Sequence, residues 1–239
     1  MGFSYGAFGA AVERRARRFV AACVVAAAGA IMAMSGPAGA QAPAAAVNAG
    51  DVKPVKLVVL GDSLTAGYGL PASSAFPARL EKALRARGFA VDVHNAGVSG
   101  DTTSGGLARL DWSIPADASA VIVELGANDA LRGVDPQVAR NALEDIVKRL
   151  KARNLPVLLA GMVAPPNLGA DYGAKFNSIY PDLARTYDVP LYPFFLDGVT
   201  TNPKLTMPDG LHPTAEGVDV VVARILPTVE AFLKDRVAK

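Results

Sequence analysis

Hydrophobic residues along this chain alternate between short unbroken runs and longer stretches with helical spacing. Residues 55–60 form a nearly continuous apolar run, as buried parallel strands do, and residues 90–94 and 120–125 read as a second and third strand. Residues 156–162 predict a fourth strand and residues 189–194 a short fifth. Between them, residues 76–87 carry a helical pattern stopped by Gly88. Asp135-Pro136 supplies an N-cap and a first-turn proline for an amphipathic helix reaching about residue 153. Residues 172–187 and 213–234 predict the last helices. This βαβα rhythm, without an internal repeat, argues for one doubly wound α/β domain, whose ligand sites lie beyond the carboxyl ends of the strands.

The amino-terminal 40 residues have a different pattern. A basic segment, Glu13-Arg14-Arg15-Ala16-Arg17-Arg18, precedes an uncharged apolar run over residues 19–34, and Ala38-Gly39-Ala40 offers a small-residue cleavage site. We read residues 1–40 as an export signal cut near Ala40, residues 41–53 as a short Ala- and Pro-rich leader, and residues 54–239 as the domain. The apolar run is short for a retained membrane anchor and rich in Ala and Gly. Val20-Ala21-Ala22-Cys23 resembles a lipoprotein processing box, but too few apolar residues separate it from Arg18, and the arginine pairs are poorly spaced for twin-arginine export. The expected location is therefore the periplasm or the exterior, with no stable membrane anchor.

Charge and cysteine content narrow the chemistry. Four of the 24 Lys and Arg and one of the 22 Asp and Glu lie in residues 1–40, so the remainder has 20 and 21 and a net charge near −1 rather than +2. Nothing in that balance calls for a nucleic-acid partner. Cys23 is the single cysteine, so the domain has no disulfide, thiolate metal site or cysteine nucleophile.

Four short blocks carry candidate chemistry: Gly61-Asp62-Ser63-Leu64, Asn95-Ala96-Gly97-Val98-Ser99-Gly100-Asp101, Gly126-Ala127-Asn128-Asp129 and Asp209-Gly210-Leu211-His212-Pro213. Ser63, Gly100 and Asn128 follow the first three strands, so the topology gathers them at one sheet edge. Ser63, at a strand-to-helix turn, is either an ordinary N-cap or an exposed nucleophile. Thr65 stands where a Gly-x-Ser-x-Gly elbow has its second glycine, which disfavours the α/β-hydrolase fold. The domain has two histidines. His94, at a strand end, reads as a packed or supporting residue. His212 precedes Pro213 and follows Asp209 by three residues, so that carboxylate can hold its imidazole and fix the tautomer. The backbone N–H groups of Ser63 and Gly100 and the Asn128 amide are candidate donors to an oxyanion, with a turn glycine and an Asx-turn as the plainer readings of the last two.

In these blocks the chain resembles the SGNH hydrolases, the GDSL esterase/lipase superfamily, and the similarity extends over most of residues 55–235. Val123-Glu124-Leu125-Gly126-Ala127-Asn128-Asp129, Leu131-Arg132-Gly133, and Asp188-Val189-Pro190-Leu191 leading to Pro193-Phe194-Phe195 resemble the periplasmic branch of multifunctional thioesterases, arylesterases and lysophospholipases. The resemblance implies a flavodoxin-like three-layer α/β/α sandwich on a five-stranded parallel sheet. It also implies Ser63 as nucleophile, His212 as base, Asp209 as its orienting carboxylate, and Ser63, Gly100 and Asn128 as the oxyanion hole, with no metal or cofactor. The expected substrates are small acyl esters or thioesters, selected by loops over residues 130–135 and 164–172, which are apolar and carry Pro or Gly. A carbohydrate acetylesterase of the same mechanism is the alternative, against which Trp112 as sole tryptophan counts; a non-catalytic binding module would not need Ser63, Asp209 and His212 together.

Overall fold

A computed structural model describes residues 53–234. The expected signal, leader start, Cys23 and cleavage site lie outside them. Five parallel strands form one sheet: β1 (Val55–Gly61), β2 (Val91–Gly97), β3 (Ala120–Glu124), β4 (Val157–Ala160) and β5 (Leu191–Tyr192), in the order β2-β1-β3-β4-β5. This is the flavodoxin-like order, whose topological switch point lies between β1 and β3. All five residues of β3 are buried, as befits a strand covered on both faces.

Nine α-helices follow in chain order among the described residues: α1 (Ser63–Ala66), α2 (Phe76–Ala86), α3 (Thr103–Ala108), α4 (Leu110–Ser113), α5 (Ala127–Leu131), α6 (Pro136–Ala152), α7 (Ala170–Asn177), α8 (Ile179–Tyr187) and α9 (Ala215–Leu233). One set pairs α2 with α9; in the other α6 meets α3, α7 and α8. Between and beneath them lies a continuous core in which Leu57, Leu60, Leu80, Ile122, Leu143, Leu159 and Ile225 are fully buried.

The long elements follow their sequence signals. Gly88, at φ 86°, ends α2 in a left-handed turn, and the Asp135 carboxylate accepts from the Gln137 N–H to start α6. Several boundaries differ from the expectation. β2 runs three residues further than predicted, so Asn95-Ala96-Gly97 are part of the strand, paired with Val59-Leu60-Gly61. β5 is only two residues long because Pro190 and Pro193 flank it and neither has an N–H for the ladder. β4 is correspondingly short.

The predicted helix over 172–187 is two helices, divided at Ser178. Pro181 explains the division, since without an N–H it cannot donate to the carbonyl four residues back and fits only a first turn. The last helix begins at Ala215, not 213, because Pro213 bridges Thr206 and the Thr214 side chain caps the helix through the Gly217 N–H. The short helices α3, α4 and α5 went unpredicted.

Candidate active site

Ser63 is the first residue of α1, directly beyond β1. It is not the N-cap, as the plainer reading supposed; Asp62 is, with its carboxylate accepting from the Leu64 N–H at 3.0 Å. The Ser63 N–H is therefore one of the helix-start donors that no intrahelical acceptor reaches. Gly61 admits no side chain, because a Cβ there would lie 2.3 Å from Thr65 Oγ1 and 2.7 Å from the Glu124 carbonyl oxygen. The glycine lets β1 and β3 close up just before the serine.

His212 Nε2 lies 2.9 Å from Ser63 Oγ, and His212 Nδ1 lies 2.7 Å from Asp209 Oδ2. Residues 149 positions apart in sequence thus form one row: hydroxyl, imidazole, carboxylate. The other oxygen of Asp209 accepts from the N–H groups of Leu211 at 2.9 Å and His212 at 3.0 Å. Those two backbone bonds, ahead of the imidazole itself, hold the Asp209 carboxyl down at about 2, so it is an anion throughout the neutral range. Tyr68 covers the imidazole, with ring centroids 4.5 Å apart.

On the other side of Ser63, residues 98–101 form a β-turn closed by the Asp101 N–H donating to the Val98 carbonyl at 3.1 Å. Gly100, at φ 82°, occupies the third position, where this turn needs a left-handed residue. Arg132 donates to the Gly100 carbonyl at 2.8 Å. Asn128, on α5, donates from Nδ2 to the Asp101 carbonyl at 2.9 Å and to Asp62 Oδ2 at 3.2 Å, so the Asx-turn reading does not hold. The N-cap of its helix is Gly126, whose φ of 118° and contact with Tyr180, where a Cβ would lie 2.1 Å from the phenol oxygen, both exclude a side chain. Asp129 anchors the same helix by accepting from the Thr103 N–H at 2.8 Å and Thr103 Oγ1 at 2.7 Å.

Ser63, Gly100, Asn128 and His212 line one cleft of about 670 Å³. Its walls are mainly apolar: Leu131, Met162, Val163, Phe194 and Leu196 among others. The two loops expected to shape it do so through Ala130-Leu131 and Ala164-Pro165-Pro166, although the first pair belongs to α5. Tyr68, Thr200 and Thr201 also line it, from segments that carried no recognisable motif. His94, expected to be packed, is exposed on β2 and outside the cleft, as is Trp112 on α4. No group of three or more His, Cys, Asp or Glu side chains suited to a metal occurs among the described residues.

Two buried acids lie behind the serine. Burial pushes the Asp62 carboxyl up to about 6, against the pull of the Leu64 N–H and the Asn128 amide. Glu124, at the end of β3, is fully buried, and no hydrogen-bond partner reaches either of its side-chain oxygens. Burial first, and the charge of Asp62 second, raise its carboxyl well above the ordinary value, opposed by the nearby Asp62 N–H.

The GDSL-like lipase/acylhydrolase family profile matches residues 59–220. The chain belongs to this family. It is 44% identical over 162 residues to an arylesterase of Vibrio mimicus, covering 67% of this chain and 81% of that one. Identity to thioesterase 1/protease 1/lysophospholipase L1 of Escherichia coli (strain K12) is 43% over 161 residues, covering 67% and 76%. Among solved structures, that of TesA superposes with a TM-score of 0.71 at 36% identity, covering 74% of this chain and 99% of that one. AlinE4, an SGNH-hydrolase family esterase, gives 0.64 at 47%, covering 75% and 97%. The fold is that of the SGNH hydrolases, and this GDSL-family chain is a carboxylic-ester hydrolase of the esterase/thioesterase class acting on small-molecule esters.

Proposed function

We propose that this hydrolase works through an acyl-enzyme on Ser63 and takes fairly hydrophobic acyl esters or thioesters. The observation that carries the reading is the Ser63–His212–Asp209 row opening into an apolar cleft. Ser63 Oγ attacks the carbonyl carbon while His212 Nε2 accepts the hydroxyl proton. The imidazolium is stabilised by Asp209, an anion held by two N–H groups. Negative charge gathering on the carbonyl oxygen is met by the N–H groups of Ser63 and Gly100 and by the Asn128 amide, which exchanges its longer bond to Asp62 for the oxyanion. Collapse expels the alcohol or thiol, protonated by His212. Water, deprotonated by the same imidazole, then attacks the acyl carbon and releases the acid and Ser63.

Arylesterase, thioesterase and lysophospholipase activities, as the relatives are named, are all acyl transfers to water that this machinery accommodates. An acetylesterase acting on carbohydrate is disfavoured, because Trp112 is away from the cleft and the cleft walls are mainly apolar, with Tyr68 and Phe194 as their only aromatic side chains besides His212 among the described residues. The basic and apolar pattern of residues 1–40 supports export, with cleavage near Ala40.

Substitution of the nucleophile is the direct test. Ser63→Ala should fold and lose nearly all turnover of p-nitrophenyl esters, and a fluorophosphonate probe should label Ser63 in the unaltered enzyme. Because serine and histidine act as one unit, Ser63→Ala/His212→Ala should be little slower than either single variant. Label on another serine, or multiplicative losses in the double variant, would refute the assignment.

A further inference from the structure

Arg109 belongs to none of the sequence blocks and makes no contact with the cleft, yet it is 6% exposed and every part of its guanidinium is engaged. Nε donates to Asp101 Oδ2 at 2.5 Å. Nη1 donates to the Ala96 carbonyl at 2.8 Å and to Ser113 Oγ at 3.0 Å, and Nη2 to the Gly61 carbonyl at 2.8 Å. These acceptors have a pattern. Gly61 ends β1 two residues before Ser63, Ala96 is the penultimate residue of β2, and Asp101 closes the turn that presents Gly100. The Gly61 carbonyl also accepts from Val98, the first residue of that turn, at 3.0 Å. Asp101, in turn, holds the Asn128 amide through its carbonyl.

We propose that Arg109 is a positioning residue of the oxyanion hole: one planar fork fixes the Ser63, Gly100 and Asn128 donors relative to each other. The assignment rests on the oxyanion reading above. A buried guanidinium meets two strand-end carbonyls and the Asp101 carboxylate at defined angles, which an ammonium on a flexible stem cannot reproduce. Donors aimed at a developing charge act through their placement, so a small loosening of the fork is felt in the transition state and hardly in ground-state binding.

The test uses Arg109→Lys and Asp101→Asn in the full chain, each combined with Asn128→Ala. Asp101→Asn removes the charged partner of the fork but keeps the carbonyl that holds Asn128, and it stands alone if Arg109→Lys does not fold. In a folded single variant, kcat for p-nitrophenyl butyrate should fall by ~10–10²-fold, as misplacement of reacting groups does, with KM nearly unchanged. On the Asn128→Ala background the same change should cost clearly less than it does alone. A folded variant with normal kcat, or a full multiplicative loss in the double variant, would overturn the proposal. If Asn128→Ala itself keeps normal kcat, the oxyanion reading fails and the proposal fails with it. A purely structural arginine would lower the melting temperature and leave this coupling at zero.

Discussion

Asn128 commits both hydrogens of its amide inside the protein, one to the Asp101 carbonyl and one to Asp62 Oδ2. On the oxyanion-hole proposal, an oxyanion has to compete with a buried carboxylate for the second hydrogen, and would win only when its charge has developed. Asn128→Ala should accordingly lower kcat by ~10²–10³-fold with little change in KM. Asn128→Asp should be at least as slow, since a carboxylate would face both Asp62 and the oxyanion. Steady-state kinetics beside a melting curve checks this: loss of stability with kcat intact would mean that Asn128 serves only to tie α5 to the Asp101 turn. Ser63, His212 and Asp209 were legible from sequence because the domain has so few histidines and one has an acid at the spacing that supports its ring. Arg109 and Glu124 were not, because an arginine or a glutamate announces nothing until its burial is known.

At the level of elements, the strands and long helices could be read, whereas of the short helices only the one after Ser63 was expected, without its bounds. α6 and α2 combine an amphipathic face with a proline near the start, and α6 adds a capping aspartate. α1 and α5, by contrast, are four and five residues long and exist because β1 and β3 deliver the chain to the switch point, where Asp62 and Asp129 tie them down. No local propensity encodes that. The end of β3 carries a testable cost of this arrangement in Glu124. Its folded-state carboxyl is raised far above the ordinary 4.5, so the folded protein holds the proton more tightly than the unfolded chain does. The stability this contributes is complete below pH 4.5 and declines as pH rises toward the folded-state value, by up to ~1.4 kcal/mol per pH unit. Glu124→Gln, neutral and of the same shape, removes that slope. The melting temperature of the variant minus that of the unaltered protein should therefore increase as pH rises above 4.5; a constant difference would show that Glu124 ionises normally.

The whole molecule explains why such scattered residues meet. Strand order β2-β1-β3 brings the carboxyl ends of three strands side by side, each delivering one block, while α9 packs across from α2 and carries the Asp209–His212 turn at its start to the same edge. The alternating pattern was enough to read a doubly wound parallel sheet, since parallel strands need crossovers and the crossovers were helical, whereas the flavodoxin-like arrangement of that sheet was implied by the family resemblance. The cleft was less legible, because its walls come from at least five separate segments whose apolar residues look like any others in sequence. Four exposed apolar side chains, Tyr68, Leu131, Val163 and Leu211, are among its lining, so its apolar character continues to the outer surface. An acyl chain lying along such a wall gains ~0.8 kcal/mol for each methylene it buries, or about fourfold in kcat/KM per carbon. Across p-nitrophenyl esters from acetyl to palmitoyl, kcat/KM should thus climb over the first several carbons and level off when the chain extends beyond the walls. Leu131→Asp, at the surface end of the wall, should flatten that climb while leaving acetyl ester turnover near its original value. A series that is highest at acetyl and falls with every added carbon would exclude the apolar wall as the acyl site and move the carbohydrate acetylesterase reading from alternative to first place.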